Sequence, residues 1–568
     1  MFGKSRKSDF RCGTGPLPRP ATHRILPLGG RAGERAGAAM PRRRLSEHSL
    51  SPLAVLFVLW HGEGRFTVGS ASLVAADLYS RFAQSFSAHV GKVLIEAEDR
   101  DWTYGEIEQA AGRLAARLQA LGVTAGERVL VQTDKSVETL ILYFASIRAG
   151  AIYLPLNVDY TEAELAYFVA DAEPVLAVCR EQSRALFTRI GQGGMRIETL
   201  ETLFADLPDV AAAPVARQWD DIAAILYTSG TTGKPKGAML SNGNLVSNGE
   251  VLIDLWAFSS ADRLIHALPI FHVHGLFVAV HCALFSGATM IFLDKFEPGA
   301  AIRHMANASV LMGVPTFYTR LLGDPGFTRD TAAGMRLFVA GSAPLSADTH
   351  RAFEERSGHR VLERYGMTET GMLTSNPYHG ERRAGSVGLP LPGVELRIAE
   401  AEGGKVLPQG DVGIVEVKGP NIFKGYWRNP EKTASEFRAD GFFITGDMGL
   451  IETDGYVQLV GREKDLIITG GLNVYPAEVE AVLDDRADVA ESAVIGVPHA
   501  DFGEAVVAVV KPLGDAFDKQ AVRAALREEL AGFKVPKDIV LVDALPRNTM
   551  GKIQKKLLRE QLAGLFAG

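Results

Sequence analysis

Cysteine is scarce: Cys12, Cys179 and Cys282 are the three in 568 residues, and none stands in C-x-x-C spacing. That excludes a disulfide framework and a thiolate zinc site, and it makes a reducing compartment the default. Surplus positive charge is lacking as well, since 60 Lys and Arg face 67 Asp and Glu for a formal net charge of -7. No basic footprint for nucleic acid results, so the lysines that matter are expected to act locally. No internal repeat is evident. The apolar run Leu53 to Trp60, behind Arg42, Arg43 and Arg44, is short for a membrane span and no small-residue cleavage site follows it. Neither nucleic acid nor a membrane is expected as a partner.

What is present suits a large globular protein, because 47% hydrophobic and 22% charged residues can build several cores and more than one domain. Residues 1 to 46 are rich in Arg and Lys, with only Asp9 and Glu34 as acids, and are expected not to fold. Residues 1–70 are read as a disordered leader. Its composition fits an organellar transit peptide and equally fits translation of upstream sequence. The expected location is cytoplasmic in the second case and the mitochondrial matrix in the first. From Leu73 the pattern is regular: AADLYSRFAQSF reads as an amphipathic helix, VLIEAEDRDWTYGEIEQAAGRLAARLQALGV as strand pair, turn and helix, and ERVLVQT and ILYFASIRAGAIYLPL continue the alternation. This predicts an α/β fold of parallel sheets covered by helices. GVELRIAE, GIVEVKG and GYVQLVG predict a small all-β, barrel-like part between about 386 and 460. Residues 71–461 are expected to form the large domain, 462–465 a charged joint, and 466–568 a small α+β domain ending in a basic helix.

Tyr227 to Gly237, YTSGTTGKPKG, closes the apolar run Ile222 to Leu226 with a loop suited to a polyphosphate. Its glycines let backbone N–H groups approach an anion, its hydroxyls add donors, and Lys234 and Lys236 add charge. A flexible linker of this composition rarely follows a buried strand and carries spaced lysines. A Walker A loop starting at Gly230 would need glycine at Pro235 and Ser or Thr at Gly237, so a P-loop NTPase is disfavoured. The loop resembles the phosphate loop of the adenylate-forming superfamily, which includes acyl-CoA synthetases, luciferases and peptide-synthetase adenylation domains.

Further segments extend this resemblance in order: LPIFHVHG (268–275), GVPTFYTR (313–320), VAGSAPLS (339–346), ERYGMTETGM (363–372), FITGD (443–447) through GREKD, and PRNTMGK (546–552). With them the chain, from about Leu73 onward, resembles the malonyl-CoA synthetases, acyl-CoA synthetases that act on a short dicarboxylate. The resemblance implies the adenylate-forming enzyme fold, ATP and Mg2+ as cofactors, and coenzyme A as co-substrate. Thr228, Ser229, Gly230, Thr231, Thr232, Gly233 and Lys236 would hold phosphates. Gly341, Tyr365, Gly366 and Met367 would line the adenylate site, with Thr368 at the α-phosphate and Glu369 on the metal. Asp447 and Arg462 would hold the ribose, since an ionised carboxylate accepts two hydroxyls. Lys552 would be the catalytic cation, because a carboxylate attacking the α-phosphorus brings two anions together. Lys464 would be the hinge, with Gly470 and Gly471 replacing Lys552 at the site when the small domain turns.

Taken without the family, Tyr365 reads as packing, Glu369 as a solvated acid and Asp447 as a turn residue, while Lys555, Lys556 and Arg559 read as one wet helix face. The resemblance, through its FYTR segment, makes Arg320 the candidate cation for the substrate's second carboxylate, which must be met when buried, carries over His274 and Ser342 in support, and leaves Arg364 to add charge nearby. His272 reads as a packed histidine. An amino-acid adenylation domain would want an Asp after Phe271, where this chain has His272. A synthetase for another short, aromatic or fatty acid stays open, as does methylmalonate. The protein is expected to be a monomer or weak homo-oligomer.

Overall fold

The computed structural model describes residues 58–61, 65–68, 77–191, 193–228, 235–470, 472–499, 501–514, 517–548 and 551–566. The chain falls into two compact units, Met1–Val74 and Ala75–Gly568. In the first, Val58–His61 pairs antiparallel with Arg65–Val68. This part of the stretch expected not to fold is therefore a hairpin: β-branched and aromatic residues on either side of Gly62 and Gly64 outweigh the basic composition around them. The remainder of the leader lies outside the described residues.

The second unit contains the α/β sheets. A six-stranded sheet runs Lys236–Ser241, Ile222–Thr228, Ile152–Pro155, Arg128–Gln132, Leu176–Cys179 and Arg196–Glu198, parallel except for its first pair. A nine-stranded sheet has at its centre the parallel strands Leu362–Met367, Leu337–Ala340, Val310–Gly313, Arg263–His266 and Thr289–Phe292. Strands such as LFVA and VLMG are buried at every position, as helices on both faces of a parallel sheet require. Cys179 and Cys282 are buried, free thiols.

The all-β part is a four-stranded antiparallel sheet, Glu395–Ala399, Gly413–Lys418, Phe443–Ile451 and Val457–Arg462. Beyond a 3-10 turn at Glu463–Asp465, a five-stranded sheet forms around the long hairpin Val489–His499 and Gly503–Pro512. Its fifth strand, Asp538–Leu541, pairs parallel to Gly503–Pro512 and was not legible in the sequence. Among the described residues no helix is long and apolar enough to cross a membrane.

The topology places the sequence segments together. LPIFHVHG, GVPTFYTR, AGSAPLS and ERYGMTE each follow or end one of four parallel strands of the nine-stranded sheet, at its carboxyl edge. Ligands of open α/β sheets bind at such edges.

Candidate active site

The base of the phosphate loop is an antiparallel pair in which Thr228 faces Lys236. Residues 229–234 of the loop, including Ser229, Gly230, Thr231, Thr232 and Gly233, lie outside the described residues, as does Gly471. The first end of the loop reaches Glu369. Its Oε1 accepts from the Thr228 hydroxyl at 3.3 Å and lies 3.1 Å from the Tyr426 hydroxyl. Glu369 is buried, and burial pushes its carboxyl pKa upward. The turn Met367, Thr368, Glu369 is held from behind: Phe423 N–H donates to the Glu369 carbonyl at 2.8 Å, and Asn421 donates to the Thr370 carbonyl at 2.7 Å. Gly366 fits where a Cβ would strike the Gly371 carbonyl, so this tight antiparallel turn needs glycine. Thr368 is partly buried within it.

A second group surrounds Asp447. The Tyr365 hydroxyl donates to Asp447 Oδ2 at 2.5 Å, and Arg462 Nε pairs ionically with Oδ1 at 2.9 Å from the facing position of the neighbouring strand. Lys552 joins them from the small domain. Its turn docks on the large domain at Gly551, which comes within Cβ contact distance of Thr316. The residue keeps one side open to solvent. Desolvation, and then the Arg462 charge, lower its pKa to about 8.

A third group lies deeper, at the ends of the parallel strands. Arg364 is 3% exposed, and its Nε and Nη2 are buried without a hydrogen-bond partner. Burial lowers its pKa to about 10. Gly341 makes room for it, because a Cβ there would fall on the guanidinium. His274 is fully buried. Its Nδ1 lies 3.3 Å from the Ser342 hydroxyl and its Nε2 has no partner. Ser342 is held at φ 72, a left-handed conformation that a non-glycine residue adopts only under restraint from its surroundings. Burial, with Arg364 next, pushes the His272 pKa down to about 4 and that of His274 well below the usual imidazole value, so both imidazoles are neutral. His274 begins a π-helix, His274–Val280, a form of helix frequent at functional sites.

Two of the expected residues stand apart. Arg320 has a half-exposed side chain, 3.7 Å from Glu297 and over the Phe296 ring. Gly470, at φ 57, donates its N–H to the Phe502 carbonyl within the small domain. Lys464 is exposed in the 3-10 turn, beside Asp465, which Arg559 holds at 2.8 Å. Sequence reasoning missed Tyr426, Glu436 and Glu363, although GYWRNPEKTASEF sits between the expected segments. Among the described residues no three His, Cys, Asp or Glu side chains cluster as a metal cage.

Comparison with known proteins agrees with this layout. The AMP-binding enzyme family matches residues 82–427, and the AMP-binding enzyme C-terminal domain matches 478–552. The chain is 32% identical over 554 residues to a malonate–CoA ligase of Arabidopsis thaliana, covering 88% of this chain and 90% of that one. It is 36% identical over 467 residues to a feruloyl-CoA synthase of an Amycolatopsis species, covering 81% and 94%. The solved structure of ATP-bound MatB from Rhodopseudomonas palustris superposes with a TM-score of 0.85 at 54% identity, covering 87% of this chain and all of that one. The strand pair that bounds the phosphate loop, the buried Glu369 turn and the Asp447–Arg462 rung thus sit in a fold shared along most of the chain, which belongs to the AMP-binding enzyme family.

Proposed function

We propose that this protein joins malonate to coenzyme A in two steps that consume ATP. In the first, a carboxylate oxygen of malonate bonds to the α-phosphorus of ATP and the bond to pyrophosphate breaks, giving malonyl-AMP. In the second, the thiolate of coenzyme A attacks the acyl carbonyl, the bond to AMP breaks, and malonyl-CoA forms. Lys552 lies between the two anions of the first step, Asp447 accepts the ribose hydroxyls, and the loop bounded by Thr228 and Lys236 cradles the departing phosphates. Glu369 fits a Mg2+ site, since this ion takes one or two carboxylates and otherwise keeps water and phosphate oxygens. When bound, the ion would offset phosphate charge.

The observation that carries the choice of acid is Arg364. A buried guanidinium with two unpartnered nitrogens costs several kcal/mol unless an anion meets it. The second carboxylate of malonate is such an anion, with neutral His274 and Ser342 alongside to hydrogen-bond it. Acetate or ferulate would leave the charge unpaired. Arg320 lies one helical turn beyond Thr316, on which the Lys552 turn rests, and supplies a second, exposed cation. The test is AMP formation with malonate, methylmalonate, acetate and ferulate. Arg364→Met is expected to lower kcat/KM for malonate by about 10²-fold or more, the cost of breaking a buried ion pair. Arg320→Ala should weaken malonate binding yet keep the preference over acetate. The opposite pattern would return the specificity role to Arg320.

A further inference from the structure

Tyr426 carries one hydroxyl proton and stands between two carboxylates, 3.1 Å from Glu369 Oε1 and 2.6 Å from Glu436 Oε2. The other oxygen of Glu436 takes Lys236 Nζ at 3.3 Å and Lys432 Nζ at 2.7 Å. Lys236 also stands over the Tyr426 ring, 4.3 Å from its centroid. Lys236, Glu436 and Tyr426 thus close a ring of contacts, with Glu369 attached through the tyrosine. From the other end of the phosphate loop, Thr228 reaches the same oxygen of Glu369.

The segment bearing these groups is rigid for local reasons. Tyr426 N–H donates to Thr433 Oγ1 at 2.9 Å, and Thr433 Oγ1 donates to the Asn429 carbonyl at 2.9 Å. Lys424 N–H donates to Met239 and Trp427 N–H to Gly237, which binds the segment to the strand leaving the phosphate loop. Packing accounts for the ring of Tyr426, which meets Phe423 edge-on at 4.9 Å. It does not account for the hydroxyl, since core packing gives no reason to hold two acids against one O–H, where like charges repel.

We infer that Tyr426 and Glu436 are positioning residues: Tyr426 fixes one oxygen of Glu369, and Glu436 fixes Tyr426 and ties it to the last lysine of the phosphate loop. The inference rests on the reading of Glu369 as the metal carboxylate. Partners that orient a metal ligand typically govern about 10–100-fold in metal affinity.

The experiment titrates Mn2+ by electron paramagnetic resonance into enzyme saturated with a non-hydrolysable ATP analogue, alongside melting temperatures. Tyr426→Phe and Glu436→Gln are each expected to weaken Mn2+ binding about 10-fold or more, with the metal concentration for half-maximal AMP formation rising by a like factor and melting temperatures near wild type. Glu369→Gln separates the two readings. If it loses Mn2+ while Tyr426→Phe and Glu436→Gln bind as wild type, the positioning inference is overturned and the metal reading stands. If Glu369→Gln itself binds Mn2+ normally, the metal reading has failed. Should Tyr426→Phe fold poorly, Glu436→Gln decides, because Glu436 lies at a helix end with part of its side chain in solvent.

Discussion

At Lys552 a single side chain's usefulness depends on its proton. The ammonium is the form that can bridge two anions, and its surroundings lower its pKa from the usual 10.5 to about 8. The adenylating rate constant kcat/KM is therefore expected to be full below pH 8 and to fall about tenfold per unit above it, since this quantity reports the free enzyme. Stability runs the other way. Between about 8 and 10.5 the unfolded chain binds a proton here that the folded chain does not, so this lysine's contribution improves as pH rises through that window. Lys552→Ala should abolish malonate-dependent ATP–pyrophosphate exchange, remove the alkaline limb with it, and spare thioester formation from supplied malonyl-AMP. Rapid-quench measurement of both half-reactions checks this, and equal loss of both would sink the role. Glu363 carries a different lesson at this scale. Fully buried, with its pKa raised to about 8 by desolvation, it accepts the Leu345 N–H and so braces the turn that presents Ser342.

At the scale of elements, three strand ends bring Arg364, Ser342 and His274 together, and the close approach of Gly341 to Arg364 makes the geometry of this proposed acid site sensitive to one methyl group. Gly341→Ala should displace the guanidinium and cost about 10²-fold in kcat/KM for malonate, as an ångström of misplacement can. Unaltered exchange activity would show that the guanidinium moves freely. Contiguous motifs were the legible part of this site: Tyr365 to Glu369, Asp447 and Lys552 each stood inside a short run of chemically distinctive residues. Arg364, which the proposed function prefers to Arg320, did not stand out in sequence because burial and missing partners are properties of the fold, and the two arginines look alike there. Tyr426 and Glu436 were missed for a related reason, as ten positions and a helix separate two groups that the fold brings into direct hydrogen-bond contact. The π-helix was invisible because HGLFVAV is buried at every position, which leaves no polar periodicity to distinguish one helical pitch from another. The strand order of the two large sheets was likewise beyond reach, whereas their parallel character was evident in the alternation of strands and helices.

At the scale of the molecule, Lys552 belongs to the small domain, and its turn rests against Thr316 of the large one. The contact of Arg351 with Asp485, 3.5 Å across the two, is exposed on both sides and contributes at most about 1 kcal/mol. A weak contact there fits the proposed two-step function, in which the small domain turns between half-reactions. Lys464→Pro, which stiffens the 3-10 turn, is expected to leave ATP–pyrophosphate exchange close to wild type and to slow malonyl-CoA formation from malonyl-AMP at least tenfold, an outcome read from single turnovers. Equal rates in both assays would remove the turn from the mechanism. The rung joining Asp447 to Arg462 gives this arrangement a particular anchorage. Arg462 is the last residue before the turn, and the carboxylate it grips is the one that the proposed function offers to the sugar of the nucleotide. On that proposal the fulcrum is bolted to the cargo: everything beyond Lys464 would swing while the ribose stays put, and a nucleotide missing a ribose hydroxyl would slacken the joint as well as the grip.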